Sequence, residues 1–184
     1  IDMAFLPPER DEHLMIEAGI PLLLGTTSKE PAENFDVIAI SNSVLQELVN
    51  LPALLQFSSI PLSRNERIEN NSPIILMGGS NSCTHSILHG EVSLNGQDGL
   101  VDGILMGDGE KVFQKTLSLI RDNKSLKRAD LIRLLRDKVT GFYDPSSYSE
   151  QFESDFLTSI KHVEGAPFPV KSSKTACEDD SETF

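Results

Sequence analysis

The stretch "ILMGDGEKVFQKTL", residues 104–117, decides how the chain is read. An apolar run ends in Gly107-Asp108-Gly109-Glu110 and opens at once into a helical pattern, with Val112, Leu117 and Ile120 on one face. Glycine at such a junction lets the backbone turn sharply and lets another group approach the main chain. The two acids point away from a phosphate site, since both would repel it. They suit the first turn of a helix, where the dipole favours negative charge and amides need partners.

Two earlier stretches have the same form. "FDVIAIS", residues 35–41, is a β-branched block with no polar alternation, which predicts a strand buried on both faces. "PIILMGGSNS", residues 73–82, is a strand running into a Gly-Gly turn. Helical spacing at Val44, Leu45, Leu48 and Val49 fills the interval between them, with Pro52 breaking or restarting the helix. Strand and helix alternate three times between 35 and 121, which predicts βαβ units and a parallel sheet. The expected fold is α/β and Rossmann-like, of flavodoxin or cobalamin-binding type, with helices on both faces and a small C-terminal extension.

Outside that core, "PERDEHLMIEA" (8–18) reads as a short acidic helix stopped by Gly19, and "IPLLLG" (20–25) as a short strand-like run. A basic helix is expected from near Ser125 to Gly141. From "GFYDPSSY" onward turn formers predominate, predicting a loop, a short hairpin and an extended stretch, and the end is polar and acidic. These shifts place a domain at 1–141 and an extension or linker at 142–184.

The 184 residues carry a formal charge of −12, which argues against nucleic-acid surfaces and anionic lipid. No apolar run approaches the roughly 20 residues of a membrane span. Cys83 and Cys177 lie far apart with no Cys-x-x-Cys partner, as expected of free thiols in a reducing, cytoplasmic setting. The chain opens at Ile1, as though cut from something longer.

In open parallel sheets, ligands sit beyond the C-terminal strand ends, where the strand order reverses. Three turns are expected along that edge: Ser41-Asn42-Ser43, Gly78-Gly79-Ser80-Asn81-Ser82 and Gly107-Asp108-Gly109-Glu110. Their small and hydroxyl side chains suit a flat or bulky ligand. Gly107-x-Gly109 is half of a dinucleotide fingerprint, with Val112 where the third glycine belongs, and no Gly-Lys-Ser/Thr follows. Asp11-x-His13 is the start of the Asp-x-His-x-x-Gly motif that ligates cobalt in cobalamin, but Ile16 stands where the glycine belongs. His85 and His89 would lie one turn apart on a helix, without an apparent third metal ligand. No catalytic constellation emerges.

Taken in order, "GIPLLLGTTSKEPAENFDVIAIS", "PIILMGGSNS", "GLVDGILMGDGEKVFQKTL", "GFYDPSSY" and "EGAPFPVK" resemble the N-terminal region of a group of large radical SAM proteins. The resemblance spans nearly the whole chain and implies a cobalamin-binding-like domain. It also implies a downstream catalytic domain, where a Cys-x-x-x-Cys-x-x-Cys triplet binds the [4Fe-4S] cluster that cleaves S-adenosylmethionine; that triplet is not in this chain. The residues implied at the cofactor edge are Ser41, Asn42, Gly78, Gly79, Ser80, Gly107, Asp108, Gly109 and Glu110. The expected partners are the catalytic domain and a small-molecule cofactor, with cobalamin the one implied. A protein-interaction module and a flavodoxin-like binding protein are the competing expectations.

Overall fold

The computed structural model describes residues 1–81, 99–107 and 109–147. Four strands form one sheet in the order β1 (Val37–Ser41), β2 (Ile74–Gly78), β3 (Gly103–Leu105) and β4 (Phe142–Tyr143). The first three run parallel, with Val37 opposite Ile74 and Leu76 opposite Gly103; β4 is antiparallel to β3, with Leu105 opposite Phe142.

Side chains alternate across the strands, so each strand feeds both faces. Ile75, Met77, Ile104, Met106 and Tyr143 join Leu48, Leu51, Leu55 and Ile60 on one face. Ile74, Leu76, Leu105 and Phe142 join Val112, Ile120, Leu131, Ile132, Leu135 and Val139 on the other. Helices therefore cover both faces of β2, β3 and β4. Most of these side chains are fully buried, and each such burial contributes about 1.5–3 kcal/mol. Gly103 is small because a Cβ there would lie 2.4 Å from the Phe142 ring.

The first face is built by a 3₁₀ turn, Leu45–Asn50, running directly into α2 (Leu51–Gln56). Pro52 sits in the first turn of α2, where its missing N–H has no helical acceptor, so it restarts the helix. The short helix α3 (Arg64–Glu69) follows; its N-cap Ser63 accepts the Glu66 amide at 3.1 Å. The second face is built by α4 (Gly109–Asp122) and α5 (Arg128–Lys138). Two successive helices carry the chain out and back, so it re-enters the sheet reversed. The Met106 amide donating to Gly141 O at 2.8 Å marks where α5 delivers it beside the end of β3. The acidic helix α1 (Glu9–Glu17) buries no residue, and Leu24 makes an isolated bridge to Pro31.

Several expectations need correction. The strand read as buried on both faces lies at the edge among the described strands: Val37, Ile38 and Ile40 are half-buried, and Ala39 and Ser41 are exposed. Its apolar sequence speaks for what it can bury, not for its number of neighbours. At the start of the region expected to hold a loop, a short hairpin and an extended stretch, Phe142 and Tyr143 form a strand of the main sheet, and both are core residues. The basic helix begins at Arg128 and not near Ser125, because Lys127 is extended (ψ 147°). Cys83, His85, His89 and the chain beyond Ser147 lie outside the described residues.

Candidate functional site

Because β1, β2 and β3 are parallel, their C-terminal ends share one edge of the sheet, and the three small-residue turns emerge there. No reversal of strand order occurs among the described strands, so the crevice expected at a reversal is not formed by them. The first two turns are instead stitched to each other. The Asn42 amide donates to Gly78 O at 2.7 Å, and the Asn81 amide donates to Asn42 O at 3.3 Å. The Asn81 side-chain amide donates to Ser43 O.

The glycines of this edge do different work. Gly79 has φ +109°, and a Cβ there would lie 2.4 Å from the main-chain oxygen of Asn42. Its smallness is used by the neighbouring turn, not kept open for a ligand. Gly78 makes only ordinary contact with Leu105. Gly107 adopts φ +95° to leave β3. Gly109 heads α4 with nothing within 4 Å of a would-be Cβ, so it alone among the glycines measured at this edge faces open space. Ser41, Ser80 and Glu110 are exposed, with Glu110 in the first turn of α4. Asp108 lies outside the described residues.

Asn42 is the exception at this exposed edge. It is 1 % exposed, and its side-chain amide points at Met77 Sδ, 4.0 Å away, while Oδ1 has no hydrogen-bond partner among the described residues. An orphaned buried acceptor costs about 1–3 kcal/mol, so it calls for a reason. Asn42 and Ser41 also line a cavity of about 560 Å³ that runs along the outer side of β1. Leu48, Leu51 and the β1 side chains form its floor, and the N-terminal segment Asp2–Leu6 forms the opposite wall. Asp2 fastens that wall by accepting the Ser28 and Thr27 amides and the Ser28 hydroxyl. The Ser28 amide, helped by its hydroxyl, holds the Asp2 carboxyl well below the usual carboxylate range.

At the opposite pole, where the parallel strands begin, lies a buried charge cluster absent from the sequence reading. Arg67, 1 % exposed, donates to Pro61 O, Leu62 O and Gly99 O and grips Asp102 through Nε (3.3 Å) and Nη2 (3.1 Å). Asp102 Oδ2 also accepts the Ile75 amide at 2.7 Å. Arg64 lies 3.7 Å from Asp102 and bonds Asp144 at 3.1 Å. Two cations and two anions thus tie α3 to β2, β3 and the end of β4. The i, i+3 arginine pair was visible in sequence; its partners are distant along the chain.

Among the described residues no cluster of three metal-ligating side chains occurs, and no helix is long and apolar enough to cross a membrane. His13 is exposed on α1, and Ile16 is half-buried on the same helix. No curated protein and no solved structure gives a significant match. The model of a family described as the N-terminal region of radical SAM proteins matches residues 1–145. The ordered turns, the acidic glycine junction and this match over most of the chain lead to one conclusion: the chain belongs to the radical SAM N-terminal family.

Proposed function

We propose that this chain is an accessory domain that presents a cofactor or substrate to a radical SAM catalytic domain from the edge formed by its three parallel strand ends. The observation that carries the reading is the meeting of the family match with that edge: the small, hydroxyl-bearing turns come together on one side of the sheet. Ser41, Ser80 and the start of α4 at Gly109 offer hydroxyls, main-chain amides and open space to a flat group. On this reading the role of the chain is holding and positioning. The cluster and S-adenosylmethionine belong, on this reading, to the catalytic domain.

Cobalamin is the cofactor implied by the resemblance, and the residues do not fit its histidine-ligated form. His13 is exposed on a helix that buries nothing, and Ile16 fills the position where a glycine would clear room. Any cobalamin held here would be held without a protein imidazole. Mixing the chain with hydroxocobalamin, followed by gel filtration and absorbance, tests the cofactor role. Co-elution of the red chromophore supports it, and a colourless protein with no measurable affinity removes it.

A second reading, a domain that docks protein and not cofactor, is favoured by one observation. The cavity reaches Ser41 and Asn42 but none of the described residues of the other two turns, of which Gly79, Ser80, Gly109 and Glu110 are exposed. Reversing charge with Asp108→Lys and Glu110→Lys should then weaken association with the catalytic domain while leaving the fold intact. Unchanged association removes this reading.

A further inference from the structure

The β1 strand combines three features that do not belong together on a finished sheet edge. Its sequence, Val37-Ile38-Ala39-Ile40, is wholly apolar, yet among the described residues it has one neighbouring strand and Ala39 is exposed. Natural edges are guarded by charge, proline or bulges, and none of these occurs within Val37–Ser41. The cavity runs beside that unguarded edge. At its rim end stands the orphaned Asn42 Oδ1.

The direction of the free groups follows from the ladder. Asp36 O accepts the Ile74 amide at 3.0 Å, and the Asn42 amide donates to Gly78 O. Residues facing a parallel neighbour alternate along a strand, so Ile38 and Ile40 pair with β2. The N–H and C=O groups of Val37, Ala39 and Ser41 therefore point outward. Among the described residues no main-chain partner meets them. Asn42 shares the face of Ile38 and Ile40, beside Met77 and Leu48.

We propose that the outer edge of β1 is a strand-acceptor site. An extended, alternately apolar polypeptide segment adds to the sheet there, pairing with Val37, Ala39 and Ser41 and supplying a donor to Asn42 Oδ1. The occupant is one strand. A small molecule would leave the row of main-chain groups unpaired. A second copy of the chain would set its own Asp2–Leu6 wall and its −12 charge against this one. The cavity's apolar lining of Leu23, Ile38, Ile40, Leu48, Leu51 and Leu54 suits aliphatic side chains. The site shares Ser41 and Asn42 with the strand-end edge, but its test reads strand addition along β1 and does not depend on binding of a cofactor or a catalytic domain.

The test appends a seven-residue Thr/Val-alternating strand to Ile1 through eight Gly/Ser residues, a linker reaching about 15 Å. A control extension carries proline at every second strand position. Amide hydrogen exchange is read at Val37, Ala39 and Ser41. Added protection of at least about tenfold over the control, with a raised melting midpoint, is expected. Exchange equal to the control overturns the proposal. So does protection already present in the unextended chain at every dilution, which would mean residues 2–6 cover the edge. Protection that grows with concentration alongside a sedimenting dimer would assign the edge to a second copy and overturn it equally. Ala39→Pro removes only an outward N–H, so it should abolish the gain while β1–β2 pairing persists. Should that variant not fold, Asn42→Leu is expected to shrink the extension's effect without destabilising the unextended chain.

Discussion

The two poles of the sheet are built on opposite principles. Where the parallel strands begin, Arg64, Arg67, Asp102 and Asp144 are sealed from water and bonded across four elements. Where they end, the turns are exposed, rich in glycine and hydroxyls, and held mainly by main-chain bonds. One pole fixes the relative positions of strands and helices; the other is left free of that duty. Rigidity at the base lets the opposite edge carry small residues that contribute little to stability, a division open-sheet proteins use repeatedly.

The sharpest way to break this comparison is at the base. Asp102→Ala leaves the buried Arg67 guanidinium without a carboxylate and the Ile75 amide without its acceptor, and should cost about 3–5 kcal/mol, lowering the melting midpoint by about 10 °C. A shift of a degree or two by calorimetry would mean that the cluster is incidental. Replacing the pair together, Arg67→Met with Asp102→Leu, should recover most of that loss, because the uncompensated charge goes too.

At the other pole the two glycines should separate. Gly79→Ala forces a Cβ against the Asn42 carbonyl at a positive φ, for about 1–3 kcal/mol measured by denaturant unfolding. Gly109→Ala meets nothing and should be neutral or stabilising by up to about 0.5 kcal/mol. Equal effects would erase the distinction between a glycine consumed by packing and one facing open space. Glu110→Lys opposes the α4 dipole and should cost about 0.3–1 kcal/mol, shrinking in salt.

The smallest effect concerns the N-terminal wall of the cavity. The Asp2 carboxyl is depressed in the folded chain, so its tie to Ser28 is present above the ordinary carboxylate pKa, about 3.9. It is lost as pH falls through the folded value. The Ser28 amide should therefore stay protected from exchange well below pH 3.9 and open only in stronger acid, whereas Asp2→Asn should open it at neutral pH. Opening at the ordinary carboxylate pKa would remove the tie.

Much of this architecture can be read from the chain. Ile74–Met77, the Gly103–Leu105 run and the apolar face of α4 are long enough in pattern to declare strand, strand and helix. What stayed hidden has physical causes. A two-residue strand such as Phe142–Tyr143 shows no period. Apolar content at Val37–Ile40 reveals the capacity for burial but not which side a neighbour takes. The Arg67–Asp102 and Arg64–Asp144 pairs join residues 35 and 80 apart, where no local spacing links them. At the candidate edge, Ser41, Gly78 and Gly107 were placed by strand ends alone, whereas Asn42's burial and Gly79's contact with it exist only once β1 and β2 are aligned.

The central claim is that the strand-end edge, and not the charge-braced base, is the working face toward a radical SAM catalytic domain. Amide chemical-shift mapping of this chain on addition of that domain tests it most directly. Shifts concentrated at Ser41–Asn42, Gly78–Ser80 and Gly107–Glu110 are predicted; shifts gathered around Arg64, Asp102 and Asp144, with those turns unmoved, would contradict it.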